Sequence, residues 1–270
     1  MRRSSSLARL LSSAAAAALL AASLGGCQTM ADVKGALTAK SDSVADVDPR
    51  RGLDAYGERY RANPKDADAA LRYGLALRAN GQRAQAVAVL EQGSIAHPAN
   101  KAMLAAYGRA LADIGSFQQA FDVLSRSHSP DNPDWRILSV QGAALDQMGR
   151  HDEARRYYAS ALQIAPNEPA VLSNLGLSYV LSKDLPKAEE TLRQAQATGR
   201  ADVRVRQNLA LAIGLQGRFA EAETIAKGDL PADEATANVA YLREMLTRKD
   251  KDHSRPGSKA VPVAALNRPD

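Results

Sequence analysis

The chain has 270 residues, 45% of them hydrophobic, yet it carries only three Phe, one Trp and eight Tyr. That composition suits helices packed through Ala and Leu, and it argues against an aromatic-rich sandwich or an aromatic ligand pocket. The formal charge of +5 falls to about +2 once Arg2, Arg3 and Arg9 are set aside, because 32 basic residues then face 30 acidic ones. Nucleic-acid binding needs a clustered basic footprint, and a near-neutral chain does not offer one.

Those three arginines belong to a segment expected to be removed. Residues 1–26 read as a signal peptide, with a basic start followed by an Ala- and Leu-rich run from Leu10 to Leu24. The run is short for a membrane span and no stop-transfer pattern follows it. It ends in Leu24-Gly25-Gly26-Cys27, and Cys27 is the sole cysteine of the chain, so an intrachain disulfide and a cysteine-based metal site are both excluded. Small residues before a cysteine at this point form the pattern of a bacterial lipobox. The thiol would take up a diacylglycerol, and the acyl chains would anchor the protein stably. The alternative is an ordinary secretory signal with an incidental cysteine. Leu24 at three residues before Cys27, with two glycines between, favours lipidation at Cys27. Gln28 follows in place of an aspartate, which by likeness to sorted lipoproteins favours the outer membrane, facing the periplasm.

Residues 27–48 are small and polar, and read as a lipidated tether spanning roughly 25 Å root-mean-square. Helical spacing starts near Pro49, with Leu53, Tyr56 and Tyr60 on one face, and Asn63-Pro64 stops it. Beyond this capping helix, Gly74, Gly108, Gly142 and Gly176 recur every 34 residues, each opening the same run of small and apolar residues. A period of 34 is that of the tetratricopeptide repeat (TPR), a helix–turn–helix unit that stacks into an all-α solenoid. Five units follow in register without insertion: 67–100, 101–134, 135–168, 169–202 and 203–236. With the glycine numbered position 8, the fifth unit carries Ala210 there. Position 20 is alanine throughout (Ala86, Ala120, Ala154, Ala188, Ala222) and is expected to meet position 8 across the hairpin. Position 11 (Leu77, Leu111, Leu145, Tyr179, Ile213) and position 24 (Leu90, Leu124, Tyr158, Leu192, Ala226) are expected to fill the space between hairpins. The turn within each hairpin carries Gly81, Gly115, Gly149 and Gly217, with Lys183 as the exception. A C-terminal capping helix is expected over 237–247, through Val239, Tyr241, Leu242, Met245 and Leu246. The solenoid with its caps would then occupy 49–247, and residues 248–270 read as a disordered tail.

The residues show no constellation for catalysis. His97, His128, His151 and His253 are scattered, and His151 reads as packing. Neither a His-x-x-x-His pair nor a phosphate-binding glycine loop is present. The Glu189-Glu190 and Glu221/Glu223 pairs read as solvated helix faces, and Trp135 as packing. No cofactor, metal or small-molecule substrate is expected, nor an enzyme. What remains is the groove lined by first-helix positions 2, 5, 9, 12 and 13. Its lining is mixed in the first three units, including Asp68, Arg78, Arg109, Asp113, Arg136, Ser139, Asp146 and Gln147, and apolar in the last two, with Leu177, Val180, Leu181, Leu211 and Leu215. An apolar groove suits the face of a partner helix. The same leucines could instead be covered by the chain's own C-terminal helix or pack between units. A carboxylate clamp would need lysines beside Asn174 and Asn208, and they are absent.

The fifth unit, Arg206-Gln-Asn-Leu-Ala-Leu-Ala-Ile-Gly-Leu-Gln-Gly-Arg-Phe-Ala-Glu-Ala-Glu223, and the segment Ala237-Asn-Val-Ala-Tyr-Leu-Arg243 resemble the TadD family of TPR lipoproteins of tight-adherence (Flp/Tad) pilus assembly. The lipobox, tether and repeats match that family in layout. The resemblance implies a lipid-anchored outer-membrane protein that helps assemble or place the pilus secretin, a pilotin-like role, with secretin or other pilus-assembly proteins as partners. A periplasmic adaptor for a cell-wall hydrolase or protease would use the same fold and anchor.

Overall fold

The computed structural model describes residues 49–129 and 131–254. The signal peptide, Cys27, the tether and the tail from 255 onward lie outside the described residues. Among the described residues the chain is all α, with a first helix α1 (Pro49–Ala62) followed by five helix pairs. These are α2 (Ala67–Ala79) with α3 (Arg83–Ala96), α4 (Lys101–Asp113) with α5 (Phe117–Ser125), and α6 (Trp135–Gln147) with α7 (His151–Ile164). Then come α8 (Pro169–Leu181) with α9 (Leu185–Ala197), α10 (Val203–Leu215) with α11 (Phe219–Ala226), and finally α12 (Ala232–Ser254). Every first helix begins at position 1 of its repeat and every second helix at position 17, so the 34-residue period is kept to the residue. The described residues fall into two compact units, 49–212 and 213–254.

Position 34, the residue before each first helix, shows why the starts are so regular. Asp66 accepts hydrogen bonds from the amides of Asp68 and Ala69, Asn100 from Met103, Asp134 from Arg136, Glu168 from Ala170 and Asp202 from Val205. Each side chain satisfies amides that the first helical turn leaves without a partner. The turn at position 15 is left-handed in all five hairpins. Gly81, Gly115, Gly149 and Gly217 have φ between 75° and 84°, and Lys183 adopts φ 64° although it has a Cβ.

The glycine at position 8 makes room for a different neighbour from the one its spacing suggests. A Cβ on Gly74 would lie 2.4 Å from Leu90, one on Gly108 2.5 Å from Leu124, one on Gly142 2.6 Å from the Tyr158 ring and one on Gly176 2.5 Å from Leu192. The large residue at position 24 therefore lies on the glycine of its own hairpin. The alanine at position 20 is buried but is not what demands glycine; at Gly108 the Ala120 carbonyl lies 3.3 Å from such a Cβ, well beyond Leu124. Geometry explains the difference. Position 24 is one helical turn beyond position 20, and its long side chain leans back along the helix over the glycine.

In unit 49–212 the first helices of successive repeats touch one another, α2 with α4, α4 with α6 and α6 with α8. Among the described residues of this unit no two second helices pack to that extent, so the first helices form the more tightly drawn, inner face of the stack. The core runs between the two layers, through Leu77, Leu90, Met103, Leu111, Leu145, Tyr158 and Leu192, all fully buried. In unit 213–254 the last helix begins at Ala232, within the span assigned to the fifth repeat, and runs past Thr247 to Ser254. Val239 and Leu242 are buried, Met245 and Leu246 half-buried, and Tyr241 is exposed. Leu242 fills the space over Gly214, where a Cβ would meet it at 2.6 Å. Thr236 donates to Glu223 at 2.8 Å, and the Arg243 guanidinium lies 4.7 Å from the centre of the Phe219 ring.

Candidate functional site: the inner face of the repeats

Side chains on the inner face join one first helix to the next, and several span 35 residues, one step more than the repeat. The Arg78 Nε donates to Asp113 Oδ2, and its Nη2 to Asp113 Oδ1 at 3.3 Å; both side chains are only 13% exposed. Asn174 donates to the Ser139 hydroxyl at 3.0 Å, and Asn208 to the Ser173 hydroxyl at 3.0 Å. Ser139 and Ser173 are buried. Each such bond is worth about 1 kcal/mol net. Asn174 and Asn208 hold neighbouring repeats together, which gives them a role other than a clamp.

Between the third and fourth repeats the polar content sinks below the surface. Asp146 is 7% exposed and accepts three hydrogen bonds. Tyr158 donates its hydroxyl to Oδ2 at 2.9 Å and Ser178 donates to Oδ1 at 2.7 Å, while His151 Nδ1 lies 2.8 Å from Oδ1. These residues come from α6, α7 and α8, so one carboxylate ties three helices. A buried carboxylate is costly unless its oxygens are filled, and here they are. Burial, reinforced by the neighbouring carboxylate, holds the Tyr158 phenol well above its ordinary range. Asp146 is thus a buried bracing group and does not line the groove. His151, expected as packing, belongs to this network.

Of the other sequence-predicted residues, Leu177, Val180 and Leu181 stand half-buried on α8, and Leu211 is half-buried on α10. Leu215 is half-buried in the second unit. Asp68 is exposed and paired with Arg72 at 2.8 Å. Arg109 on α4 is half-buried, and its Nε is buried without a hydrogen-bond partner. Burial, with the positive charges of Arg78 and Arg136, disfavours its charged form, and Asp134 opposes them. Arg136 lies 4.7 Å over the Trp135 ring, whose body packs against the core of the third repeat. Cys27 lies outside the described residues. A recess of about 790 Å³ opens at the hairpin turns of the first two repeats, lined by 81–85, 112–115 and Phe117, and reaches the inner face at Asp113.

Sequence reasoning missed the 35-residue pairs and the position-34 caps, although both can be read from it. Asp, Asn, Asp, Glu and Asp recur at position 34, and Ser at position 5 precedes Asn at position 6 one repeat later, twice. Among the described residues no group of three or more His, Cys, Asp or Glu could hold a metal ion. Nor, among them, is any helix long and apolar enough to cross a membrane.

Known structures share this architecture. The type IV pilus biogenesis factor PilW matches with a TM-score of 0.62 at 17% identity, over 72% of this chain and 91% of PilW. The TPR protein TTC0263 of Thermus thermophilus matches at 0.57 and 22%, over 66% of this chain and 99% of that one. A chain of the anaphase-promoting-complex Cut9–Hcn1 hetero-tetramer matches at 0.59 and 16%, over 74% of this chain, which spans only 40% of the length of that partner. No curated protein matches this sequence. At these identities the likeness is one of fold. Two tetratricopeptide-repeat family models match the chain, one at 74–133 and 121–169 and the other at 147–212. Together they cover more than half of the 270 residues, and the chain belongs to the tetratricopeptide repeat family.

Proposed function

We propose that the chain is a protein-interaction scaffold of Flp/Tad pilus assembly, lipid-anchored through Cys27 to the outer membrane and facing the periplasm, where it acts on the secretin in a pilotin-like role. The observation that carries the scaffold reading is the inner face itself. It is a continuous row of first-helix side chains that changes from charged groups in the first three repeats to the half-buried Leu177, Val180 and Leu181 in the fourth. Such a face can hold an extended segment or one side of an amphipathic helix. The anchor and the compartment rest on Leu24-Gly25-Gly26-Cys27 and on Gln28. The pilus assignment rests on the resemblance of 206–223 and 237–243, and PilW is a precedent for a pilus-biogenesis protein built on this fold.

In a strain lacking the protein, secretin multimers in the outer membrane should fall, and Cys27→Ser should release the protein from the membrane fraction and give the same loss. Normal secretin multimers in the deletion strain would refute the pilotin role. Leu177→Glu combined with Leu181→Glu should abolish capture of the secretin subunit while leaving the helical signal unchanged. Retained capture would remove the groove from the proposal.

A further inference from the structure

The first described helix enters the stack in the phase of a second helix. Counted back from Ala67 by the 34-residue period, Pro49 falls at position 17, where α3 and α5 start with Arg83 and Phe117. The chain before Pro49 therefore arrives at the hairpin-turn edge of the repeats. The recess at the turns of the first two repeats opens on the same edge, one repeat further on, and its walls carry Ala84, Ala112, Ile114 and Phe117. Ile114 is 44% exposed and stands at position 14, where the first, fourth and fifth repeats have the polar Asn80, Ser182 and Gln216. The charged groups of the lining are engaged already, Asp113 by Arg78 and Arg83 within its own surroundings. What the recess offers is apolar contact.

We infer that this recess takes a segment of the same chain, residues 30–37, with Met30, Val33 and Leu37 seated against Ile114 and Phe117. These three are spaced three and four apart, the spacing of one face of a helix. Reach selects the segment. α1 packs on α2, α2 on α3 and α3 on α4, and packed helices lie about 8–10 Å apart, which puts the recess about 20–30 Å from Pro49. Leu37 and Met30 precede Pro49 by 12 and 19 residues, lengths that span roughly 19–24 Å root-mean-square. Val44 and Val47 fall short, since Val44 is five residues from Pro49 and five residues fully extended reach about 17 Å. A connection matched to its span gives the highest effective concentration, about millimolar for a short one, so a weak apolar contact is enough. A second copy or another protein has to compete with that. The contact stands apart from the pilus reading, while its consequence rests on the lipid anchor at Cys27. Met30 follows Cys27 by three residues, about 10 Å of chain, so seating it draws the hairpin-turn edge of the first two repeats to the membrane surface.

The test uses the full chain carrying Cys27→Ser, purified in detergent, which has no thiol of its own. Leu37→Cys with Ala84→Cys should close a disulfide within one chain under mild oxidation. Adding Ile114→Glu should slow that closure at least about tenfold, because nearness alone remains once the contact is gone. Ile114 is exposed, so this variant should keep the helical signal. Trypsin supplies a second readout on the chain without added cysteines. It should cut after Lys34, inside the seated segment, about tenfold more slowly than after Lys40, outside it. The two rates should come together in Ile114→Glu. A closure rate that Ile114→Glu leaves unchanged, equal cutting after Lys34 and Lys40, or a disulfide that joins two chains would each overturn the inference, the last by giving the recess to a second copy. The trypsin ratio of the chain without Ile114→Glu keeps the test decisive if that variant fails to fold. Failure here leaves the secretin experiment untouched, and failure there leaves the recess contact standing.

Discussion

The sharpest consequence of the repeat geometry concerns Gly176 and Leu192. A Cβ at position 176 would lie 2.5 Å from Leu192 Cγ, 2.9 Å from Cδ2 and 3.1 Å from Cδ1. Carbon atoms pack best at about 3.5–4.0 Å, so the added methyl enters roughly 1 Å too far. Leu192 is fully buried and Cγ is near the root of the side chain, so a rotamer change does not relieve the clash. Overpacking of this kind costs about 1–3 kcal/mol, and the upper end applies here. Alanine gains about 1 kcal/mol over glycine within a helix, leaving Gly176→Ala destabilised by about 2 kcal/mol. Leu192→Ala alone should cost about 2–5 kcal/mol through the cavity it opens. In that background the clash has gone, so Gly176→Ala should stabilise by about 1 kcal/mol, an interaction energy of about 3 kcal/mol across the cycle. The double variant has the alanine pair that the fifth repeat carries as Ala210 and Ala226. Urea unfolding followed by circular dichroism measures all four proteins, with slopes compared to detect repeats that unfold separately. If Gly176→Ala costs the same with Leu192 present or removed, the glycine is not there for position 24 and the packing argument is wrong.

Lys183→Gly should stabilise the fourth hairpin by about 0.5–1 kcal/mol, since it removes a side chain from a left-handed residue; a lower unfolding midpoint would contradict this. Asn100→Ala should cost about 1 kcal/mol by removing the cap on the Met103 amide, whereas Gln82→Ala, which makes no side-chain cap bond, should cost less. Tyr107 is held up to about 12 by burial and by the hydrogen bond it donates to Glu91. Its unfolded value is about 10. Its contribution is therefore complete below pH 10 and falls as pH rises from there through about 12, because only the unfolded chain releases the proton. Denaturant midpoints of wild type and Tyr107→Phe should converge over that window, and a gap that stays constant would exclude the linkage.

The period made the element boundaries legible because a solenoid repeats its solutions. A left-handed turn at position 15 and a close approach at position 8 both select glycine, so spacing alone places every hairpin. Lys183 shows the limit, since the fold imposes the turn there without the residue that prefers it. Spacing does not tell which residue comes nearest each glycine, because a helix wheel says which residues share a face and not how far a long side chain leans along it. The last helix starts earlier than the period predicts. The second helix of the fifth repeat stops at Ala226 and α12 begins at Ala232, five residues ahead of the period. Asp146 was legible as a first-helix residue at a groove position but not as a buried one. Its burial is set by Tyr158 and Ser178, 12 and 32 residues away, at spacings that no single-helix pattern reports.

The same offset arithmetic bears on how the inner face works. A hydrogen bond between residues 35 apart joins a first helix to the next one, a single residue out of phase with the repeat. Arg78–Asp113, Asn174–Ser139 and Asn208–Ser173 all obey it. The groove wall is therefore cross-linked along its length by groups that are already satisfied, and such groups have little to offer a ligand. Asp113 holds Arg78, and Ser139 and Ser173 are filled by asparagines. Once these are subtracted, the inner face still offers the half-buried leucines of the fourth repeat and, in the first three, the exposed Leu75 and Arg136 and the half-buried Arg109. Specificity in binding comes from the groups a surface leaves unsatisfied, because a wrong partner leaves them so. On the scaffold reading, the apolar stretch of the fourth repeat supplies area and the polar groups of the first three repeats supply the discrimination.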